Sequence, residues 1–273
     1  MQTGRQSRFG QAAGIILPLV DGYTGRPPAL RQLTVCLNGV SVKPLCKPDG
    51  HMLLMDVPAG TYSLEVSSLF YLPAEMHVQV ETDGHPVYAT PLILKPHSAY
   101  PFPSGAALIR GSLAKRFREG SAKTDDPSAP PLIRGAVQSE SSAKARLSQV
   151  KAEKGTQLVK FTELLGNIIV GEPVLLKSRK KNAHEVIRIV KWMEEEEGYL
   201  LAEPLEHEYE RGSLVYAVVE TTENERGEFV LPFRGPLGRD CVIQVTVEQD
   251  QKVEYEREVR VTGQETVMLG RID

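Results

Sequence analysis

Short apolar runs separated by turns recur along this chain, and one arrangement of turn, strand, turn and strand occurs twice. The first copy begins at the turn 47–50 and ends with the segment 61–67. The second begins at the turn 225–227 and ends with the segment 241–247. Apolar side chains occupy every second position of both end segments, a spacing that puts them on one face of a β-strand. The pattern predicts two small β-sandwiches, whose sheets have one buried and one wet face.

Turn signals between the runs predict an all-β protein whose second sandwich carries an inserted β domain. Asn38-Gly39 is the strongest hairpin signal, because both residues accept positive φ. Residues 139–154 fit either a weak helix or a twisted hairpin, and 115–130 indicate an exposed loop. The predicted parts are a flexible N-terminal tail at 1–12, a first β-sandwich at 13–95, a proline-rich linker at 96–106, a second β-sandwich at 107–155 and 219–273, and a small β-barrel or meander inserted at 156–218.

The charge balance narrows the range of partners. With 32 basic and 35 acidic residues the formal net charge is −3, which does not attract a chain to nucleic acid or to an anionic membrane. The apolar run 12–20 is interrupted by Pro18 and closed by Asp21-Gly22, which indicates a first strand rather than a signal peptide. No apolar stretch is long enough to span a bilayer. We expect cytoplasmic synthesis without a signal peptide.

No two of the three cysteines, Cys36, Cys46 and Cys241, are spaced as a CxxC pair. This spacing argues against a zinc site or a redox motif and favours buried free thiols in a reducing compartment. A disulfide between Cys36 and Cys46 remains an open alternative.

The ionisable residues show no catalytic or metal-binding motif. On a strand, Glu206-His207-Glu208 would place its carboxylates on one face and its imidazole on the other, so the three side chains would not converge on a metal. A GxSxG elbow and a phosphate-binding glycine loop are both absent from the sequence. We therefore predict no catalytic residue, no cofactor, no metal ligand and no small-molecule substrate. The six histidines are His51, His77, His85, His97, His184 and His207.

A basic run is the first of two candidate partner contacts. Arg179, Lys180 and Lys181 are followed by the acidic residues 194–197 and by further glutamates up to Glu210. One interpretation is a solvated barrel surface with ion pairs between neighbouring strands. The other is a docking face of complementary charge for a protein partner.

Aromatic residues near the linker are the second candidate contact. Phe70, Tyr71, Tyr100 and Phe102 would bind a carbohydrate if their rings were exposed and coplanar, or would seal the junction with the linker if they were packed. Trp192 is expected to cap the core of the inserted domain.

Both copies of the repeated pattern resemble the carboxypeptidase regulatory-like family, also called transthyretin-like or prealbumin-like sandwiches. In the second copy the resemblance lies in Gly135-Ala136-Val137 and in residues 221–231, with their Gly-x-Phe-x-Leu segment; in the first it lies in Asp49-Gly50 and residues 57–62. The resemblance implies two transthyretin-like sandwiches. It implies little about function, because such domains are appended to unrelated proteins. A terminal-strand Asn is missing, so the Lys–Asn crosslink of some relatives is not predicted.

A narrower resemblance concerns residues 19–27 and the connector segment 100–103. They are similar to accessory proteins of phage-tail-like contractile injection systems, which implies a cap, terminator or baseplate-associated part of a large particle released by lysis. Together these features favour a non-catalytic structural or assembly component that binds other protein subunits. The alternatives are a carbohydrate- or protein-binding module and an accessory domain protein of a peptidase system.

Overall fold

The computed structural model describes residues 14–28, 33–82, 85–119, 130–165, 168, 170–234, 237, 240–250 and 252–273. These residues form short strands, together with the α-helix Lys115–Glu119 and a 3-10 turn at Glu140–Ser142. The predicted all-β class is confirmed. The predicted tail at 1–12 lies outside the described residues, as does most of the loop predicted at 115–130.

The chain forms two compact units. The first comprises the described parts of Met1–Asp21, Arg26–Ser68 and Pro73–Leu94, and the second comprises Gly22–Gly25, Leu69–Leu72 and the described parts of Lys95–Asp273. The predicted domain bounds stay a prediction, because packing alone does not show which segment folds by itself.

The first unit contains two sheets. One has the strand order β4-β5-β1-β8, with β9 also pairing with β1, and the other has the order β3-β2-β6-β7. The strands are β1 (Ile15–Asp21), β2 (Thr34–Leu37), β3 (Val40–Val42), β4 (Leu45–Cys46), β5 (His51–Leu54), β6 (Gly60–Ser67), β7 (Ala74–Val80), β8 (Val87–Tyr88) and β9 (Leu92–Leu94).

Local sequence explains several features of this unit. Alternate residues of β1, namely Ile15, Leu17 and Leu19, are almost completely buried. The hairpin between β2 and β3 turns at Asn38 and Gly39, with φ of 49° and 75°, as predicted. Residues 87–94 form two strands, β8 and β9, which both run parallel to β1. Pro91 lies in the break between them, where its missing N–H cannot join a ladder.

The three cysteines, Cys36, Cys46 and Cys241, are all free thiols, so Cys36 and Cys46 form no disulfide.

The second unit is built on a three-stranded sheet, a ten-stranded sheet and a two-stranded ladder. The three-stranded order is β21-β10-β24, and the main path of the large sheet is β14-β18-β17-β16-β20-β11-β22-β23. Its strands are β10 (Ala107–Leu113), β11 (Leu132–Val137), β12 (Ala145–Leu147), β13 (Lys151–Ala152), β14 (Leu158–Val159), β15 (Phe161–Thr162), β16 (Pro173–Lys177), β17 (His184–Met193), β18 (Gly198–Leu201), β19 (Tyr209–Glu210), β20 (Leu214–Thr221), β21 (Glu228–Phe233), β22 (Cys241–Gln249), β23 (Lys252–Val261) and β24 (Thr266–Ile272). The helical alternative for 139–154 is wrong, since the segment forms a 3-10 turn and two short strands.

Two hydrophobic cores lie within the second unit. The sandwich core joins the two sheets and contains Ile109, Leu231 and Ile243. The smaller core contains Leu147, Ile189 and Tyr209. Strands β16 and β20 serve both, because successive side chains of a strand point to opposite faces: Leu175 belongs to the sandwich core and Leu176 to the smaller one. One continuous sheet therefore contributes side chains to both cores of the second unit.

Two glycines allow aromatic rings to pack closely in the sandwich core. A Cβ on Gly111 would lie 2.7 Å from Cζ of Phe229, and one on Gly135 would lie 2.8 Å from Cζ of Phe233. Both distances are shorter than a van der Waals contact, so the aromatic rings pack directly against the glycine backbone. The glycine in the Gly135-Ala136-Val137 segment therefore has a packing role.

Candidate functional site

The segment after β9 is held on the outer face of the three-stranded sheet. Asn224 provides the polar anchor: its Nδ2 donates to Oγ of Ser98 at 3.0 Å, and its Oδ1 accepts the N–H groups of Arg226 and Glu228, both at 2.9 Å. Oγ of Ser98 also lies 3.3 Å from Oε2 of Glu228. One side chain thus shapes the turn before β21 and ties residue 98 to it.

Arg110 provides a second anchor from the middle strand of the same sheet. Its Nη1 donates to the carbonyl oxygen of Ser98 at 3.0 Å, and its guanidinium lies 5.6 Å from the ring centre of Phe102. A cation over an aromatic face is an attractive arrangement. The connector is therefore fixed at both residue 98 and residue 102.

The predicted aromatic residues form a packed cluster in the second unit. Tyr100 lies between three rings, with centroid distances of 5.7 Å to Tyr71, 5.9 Å to Tyr23 and 4.7 Å to Phe102. The planes of Tyr23 and Phe102 are 86° apart, and Tyr71 is only 5% exposed. Phe70 precedes the cluster, and its carbonyl oxygen accepts the N–H of His97 at 2.8 Å. Rings packed edge to face do not offer the coplanar platform of a sugar site.

A shallow groove borders this cluster. Its volume is about 350 Å³, and it lies over the positions where Leu108 of β10 pairs with Thr266 of β24. The connector forms one wall with Tyr100 and Phe102, and Gln264 contributes from the turn before β24. The groove therefore runs beside the edge strand of the three-stranded sheet.

The outer edge of β24 carries no partner strand within the described part of the chain. The N–H of Leu108 donates to the carbonyl oxygen of Glu265 at 3.0 Å, and in a parallel ladder alternate residues face the partner. The backbone groups of Thr266 and Met268 consequently point outwards. Met268 is 68% exposed, which adds apolar surface to this edge.

The large sheet also ends in an edge, but this one is strongly charged. Strand β23 pairs with β22 on one side, and among the described residues no strand pairs with its other side. Alternating charges at a sheet edge oppose the addition of another strand. The exposed charged residues of β23 are Lys252, Glu254, Glu256, Arg257, Glu258 and Arg260.

The predicted basic residues lie in the turn between β16 and β17. Arg179 pairs with Glu140 at 2.8 Å, and Lys181 pairs with Glu208 at 2.6 Å. The backbone N–H of Lys180 donates to Oε1 of Glu210 at 3.2 Å. The turn is thus held by acidic side chains from outside the 194–197 run, which forms the turn between β17 and β18. A role of the three basic residues in binding a partner stays a prediction.

The expectation that Glu206-His207-Glu208 lies on a strand is wrong. The segment bends before β19; Nδ1 of His207 lies 3.6 Å from Glu185, while Glu208 binds Lys151 and Lys181. Hydrogen bonds from these two lysines lower the pKa of Glu208 to about 2. Within the described ranges no group of three or more His, Cys, Asp or Glu residues is placed to hold a metal ion.

Trp192 does not cap the smaller core, contrary to expectation. Its side chain is 43% exposed, and it packs edge-on against Tyr199 at 4.7 Å. Trp192 lies near the end of β17, where its side chain stays partly exposed.

A buried ion cluster on the large sheet was not visible in the sequence. Nε and Nη2 of Arg134 both lie 3.0 Å from Oε1 of Glu220, and Nη2 of Arg188 lies 2.8 Å from Oε2. Arg134 also pairs with Glu248. Burial raises the pKa of Glu220, but the hydrogen bonds and charges of Arg188 and Arg134 outweigh burial and hold it below its ordinary value. These residues lie on four different strands, and the register in which those strands pair brings the side chains together.

A second cluster surrounds Glu172, which is paired with Arg234 and lies 3.8 Å from Nζ of Lys144. Burial, with a smaller contribution from the charge of Arg234, lowers the pKa of Lys144 to about 8. Burial, and secondarily the nearby charge of Arg234, therefore explain why this lysine gives up its proton readily.

Comparisons with known proteins do not place the chain in a family. No family model and no curated protein matches it. Among solved structures, the Bacillus anthracis TIE protein is 9% identical with a TM-score of 0.27; the match covers 96% of this chain and 50% of that one. The chain thus spans half the length of that protein.

Two further solved structures resemble the chain at a similar level. The major pilin subunit of Bacillus cereus is 11% identical over 94% of this chain and 69% of the pilin, with a TM-score of 0.27. A DUF3823 family protein from Bacteroides ovatus is 9% identical over 94% of this chain and 98% of its own, with a TM-score of 0.22. Likenesses this weak identify neither a family nor a function. The helix in the described residues is too short to cross a membrane.

Proposed function

We propose that this chain is a non-catalytic assembly component that joins other protein subunits through the outer edge of β24. The observation that carries the proposal is the contrast between two sheet edges of the second unit, those of β23 and β24. Strand β23 is lined with exposed charges, whereas β24 presents outward backbone groups at Thr266 and Met268 beside an aromatic-walled groove. An open edge is a template for a strand of another chain.

The anchored connector supports this role. Asn224 and Arg110 hold residues 98–102 on the sheet face, so the wall of the groove is already formed before a partner arrives. A surface that does not need to be ordered on binding loses less entropy in the complex.

The proposal is tested by blocking the edge without disturbing the fold. Thr266→Pro removes an outward N–H, while the N–H groups that face β10 remain; Thr266→Val is the matched control, because it keeps that N–H. Each variant replaces the wild-type chain in its native lysate, which is then fractionated by size. We expect the wild type and Thr266→Val in fractions larger than a monomer, and Thr266→Pro at monomer size. Equal elution of Thr266→Pro and wild type would contradict the proposal.

The finer identity that we propose is a cap, terminator or baseplate-associated part of a phage-tail-like contractile injection particle. Its support is the resemblance of residues 19–27 and 100–103 to accessory proteins of such particles. Sheath, tube or baseplate genes beside the gene for this chain are the expected finding. A neighbouring peptidase gene would favour the peptidase-accessory alternative instead.

A further inference from the structure

An aromatic patch lies near the tip of the hairpin formed by β17 and β18. Trp192 pairs directly with Tyr199 in the ladder, and their ring centres are 4.7 Å apart. Phe161 of β15 stacks with Tyr199, with ring centres 5.4 Å apart and planes inclined by 29°. Phe161 and Tyr199 pack against the smaller core, whereas Trp192 is 43% exposed. The patch is therefore fixed to the core on one side and open to solvent at Trp192.

The polar groups of this patch are available to another molecule. The indole N–H of Trp192 and the hydroxyl of Tyr199 have no hydrogen-bond partner within the described part of the chain. Aromatic side chains with one polar group are enriched in protein interfaces, because they combine apolar contact with a hydrogen bond. An exposed Trp beside a packed Tyr is consequently suited to contact with another protein.

The turn that joins the two strands of this hairpin is strongly acidic. It consists of four consecutive glutamates at 194–197, all with exposed side chains. None of the four makes an ion pair or a side-chain hydrogen bond with another described residue. Other glutamates of the second unit do, since Glu208 binds two lysines and Glu140 binds Arg179. The turn therefore places uncompensated negative charge directly beside the aromatic patch.

The arrangement of these groups narrows the chemistry of a partner. Negative charge repels nucleic acid and anionic lipid. The four carboxylates do not converge on a single cation, because no metal-binding group of acidic residues occurs in the described ranges. The planes of Trp192 and Tyr199 are 64° apart, so the rings form no flat platform for a sugar. Several cationic groups spaced along a chain would match both the separate carboxylates and the exposed indole.

We propose that the tip of the β17–β18 hairpin binds a basic, arginine-containing segment of another protein. The guanidinium group stacks on aromatic faces and pairs with a carboxylate through two N–H groups, whereas lysine offers only a point charge. Trp attracts a cation more strongly than any other aromatic side chain, and the turn supplies complementary charge. This binding does not require the β24 edge, because β17 and β24 belong to different sheets.

The fluorescence of Trp192 measures this binding directly, because it is the only tryptophan in the chain. The probe is a synthetic nine-residue peptide in which three arginines are separated by glycine and serine. Titration of this peptide into the purified full chain should change the tryptophan fluorescence, and the same peptide with glutamine in place of arginine should not. Calorimetry gives the dissociation constant, which should rise with salt because exposed charges are screened.

Removal of charge at two places separates this site from a general attraction. Glu195→Gln/Glu196→Gln should raise the dissociation constant about five- to tenfold, because each exposed ion pair contributes modestly. Glu254→Gln/Glu258→Gln on β23 removes the same charge elsewhere and should leave the dissociation constant unchanged. Trp192→Leu should raise it roughly threefold in calorimetry, because the aromatic face is lost.

Glu197→Gly provides a variant that does not strain the fold. Glu197 adopts a φ of 50°, which glycine accepts readily, so the substitution removes a charge and leaves the turn intact. We expect the dissociation constant to rise roughly two- to threefold.

Three results would overturn the inference. The first is no binding of the arginine peptide, or binding that leaves the fluorescence of Trp192 unchanged. The second is equal affinity of the variants Glu195→Gln/Glu196→Gln and Glu254→Gln/Glu258→Gln. The third is a fluorescence response to Ca²⁺ without any binding of the peptide, which would indicate a metal site instead.

Discussion

Arg134 holds the carboxylate of Glu220 through two N–H groups, Nε and Nη2, both 3.0 Å from Oε1. The Glu220 side chain is only 4% exposed, and Arg188 binds its second oxygen. The pair joins β11 to β20, the strand at which the sandwich sheet continues into the strands around the smaller core. The junction between the sandwich and the strands around the smaller core is therefore held by a buried ion pair as well as by backbone pairing.

Glu220→Gln should destabilise the chain by about 1–2 kcal/mol, because it removes the buried counter-charge of two arginines. The cost stays moderate because Arg188 is half exposed and Arg134 keeps its pair with Glu248. Urea unfolding followed by circular dichroism measures the change in the free energy of unfolding. Glu254→Gln on the exposed edge is the control and should change it by less than about 0.5 kcal/mol. Equal effects of both substitutions would mean that the cluster does not stabilise the junction.

The same carboxylate should make stability depend on acid pH. The pKa of Glu220 in the folded chain is held below its ordinary value, so its contribution is present above the unfolded pKa of about 4.3 and is lost as pH falls through the folded pKa. We expect the free energy of unfolding to fall more steeply between neutral pH and pH ~3 in the wild type than in Glu220→Gln. Parallel curves would contradict this assignment.

Lys144 should also make stability rise with pH, but in the alkaline range. Burial and the charge of Arg234 lower its pKa to about 8, so between pH 8 and the unfolded value of about 10.4 the unfolded chain binds more protons. The Lys144 contribution to the free energy of unfolding therefore rises with pH across this window, by at most roughly 3 kcal/mol. The difference between wild type and Lys144→Met, measured at pH 7.5, 9 and 10 by urea unfolding, should move in favour of the wild type.

Gly135→Ala should cost about 1–3 kcal/mol through overpacking. The new Cβ would lie 2.8 Å from Cζ of Phe233 and 3.1 Å from Cδ1 of Leu231. A smaller neighbour should relieve the clash, so Gly135→Ala should cost less in a Phe233→Leu background than in the wild type. Strictly additive costs in denaturant titrations would show that the two residues do not clash.

Asn224→Ala should release the connector from the sheet. The substitution removes the acceptor for two backbone N–H groups and the donor to Ser98, at a cost of about 1–3 kcal/mol. Limited proteolysis should then cut residues 99–105 faster than in the wild type. Asn224→Asp keeps the acceptor but loses the donor, so it should free the connector while leaving the turn at 224–228 intact; unchanged cleavage in both variants would count against the anchor.

Local pattern accounts for the parts of the fold that the sequence predicts well. The alternation in β6 and β22 identifies their buried faces, because the side-chain period of a strand is 2 whatever its partner. Asn38-Gly39 identifies its hairpin for a similarly local reason, namely positive φ at both residues. The predictions for Trp192 and for Glu206-His207-Glu208 were wrong, because the conformation at these positions depends on residues that are distant in the sequence.

The candidate site was predicted only in part. Tyr100 and Phe102 stand out in sequence as aromatic residues in a proline-rich connector, and the structure places them on the wall of the groove. Arg110, Asn224 and Gln264 give no such signal, because each looks like an ordinary polar residue of a strand or turn. Their shared position depends on the pairing of β10 with both β21 and β24.

The sequence by itself determined that this is an all-β chain, which side chains of its strands are buried, and where its tightest turn lies. These properties depend on backbone geometry over a few neighbouring residues. Only the tertiary structure decided which strand edges stay unpaired among the described residues, which charges become buried and that one sheet serves two cores. Those outcomes depend on strand order and register, which join residues far apart in the chain and leave no local pattern.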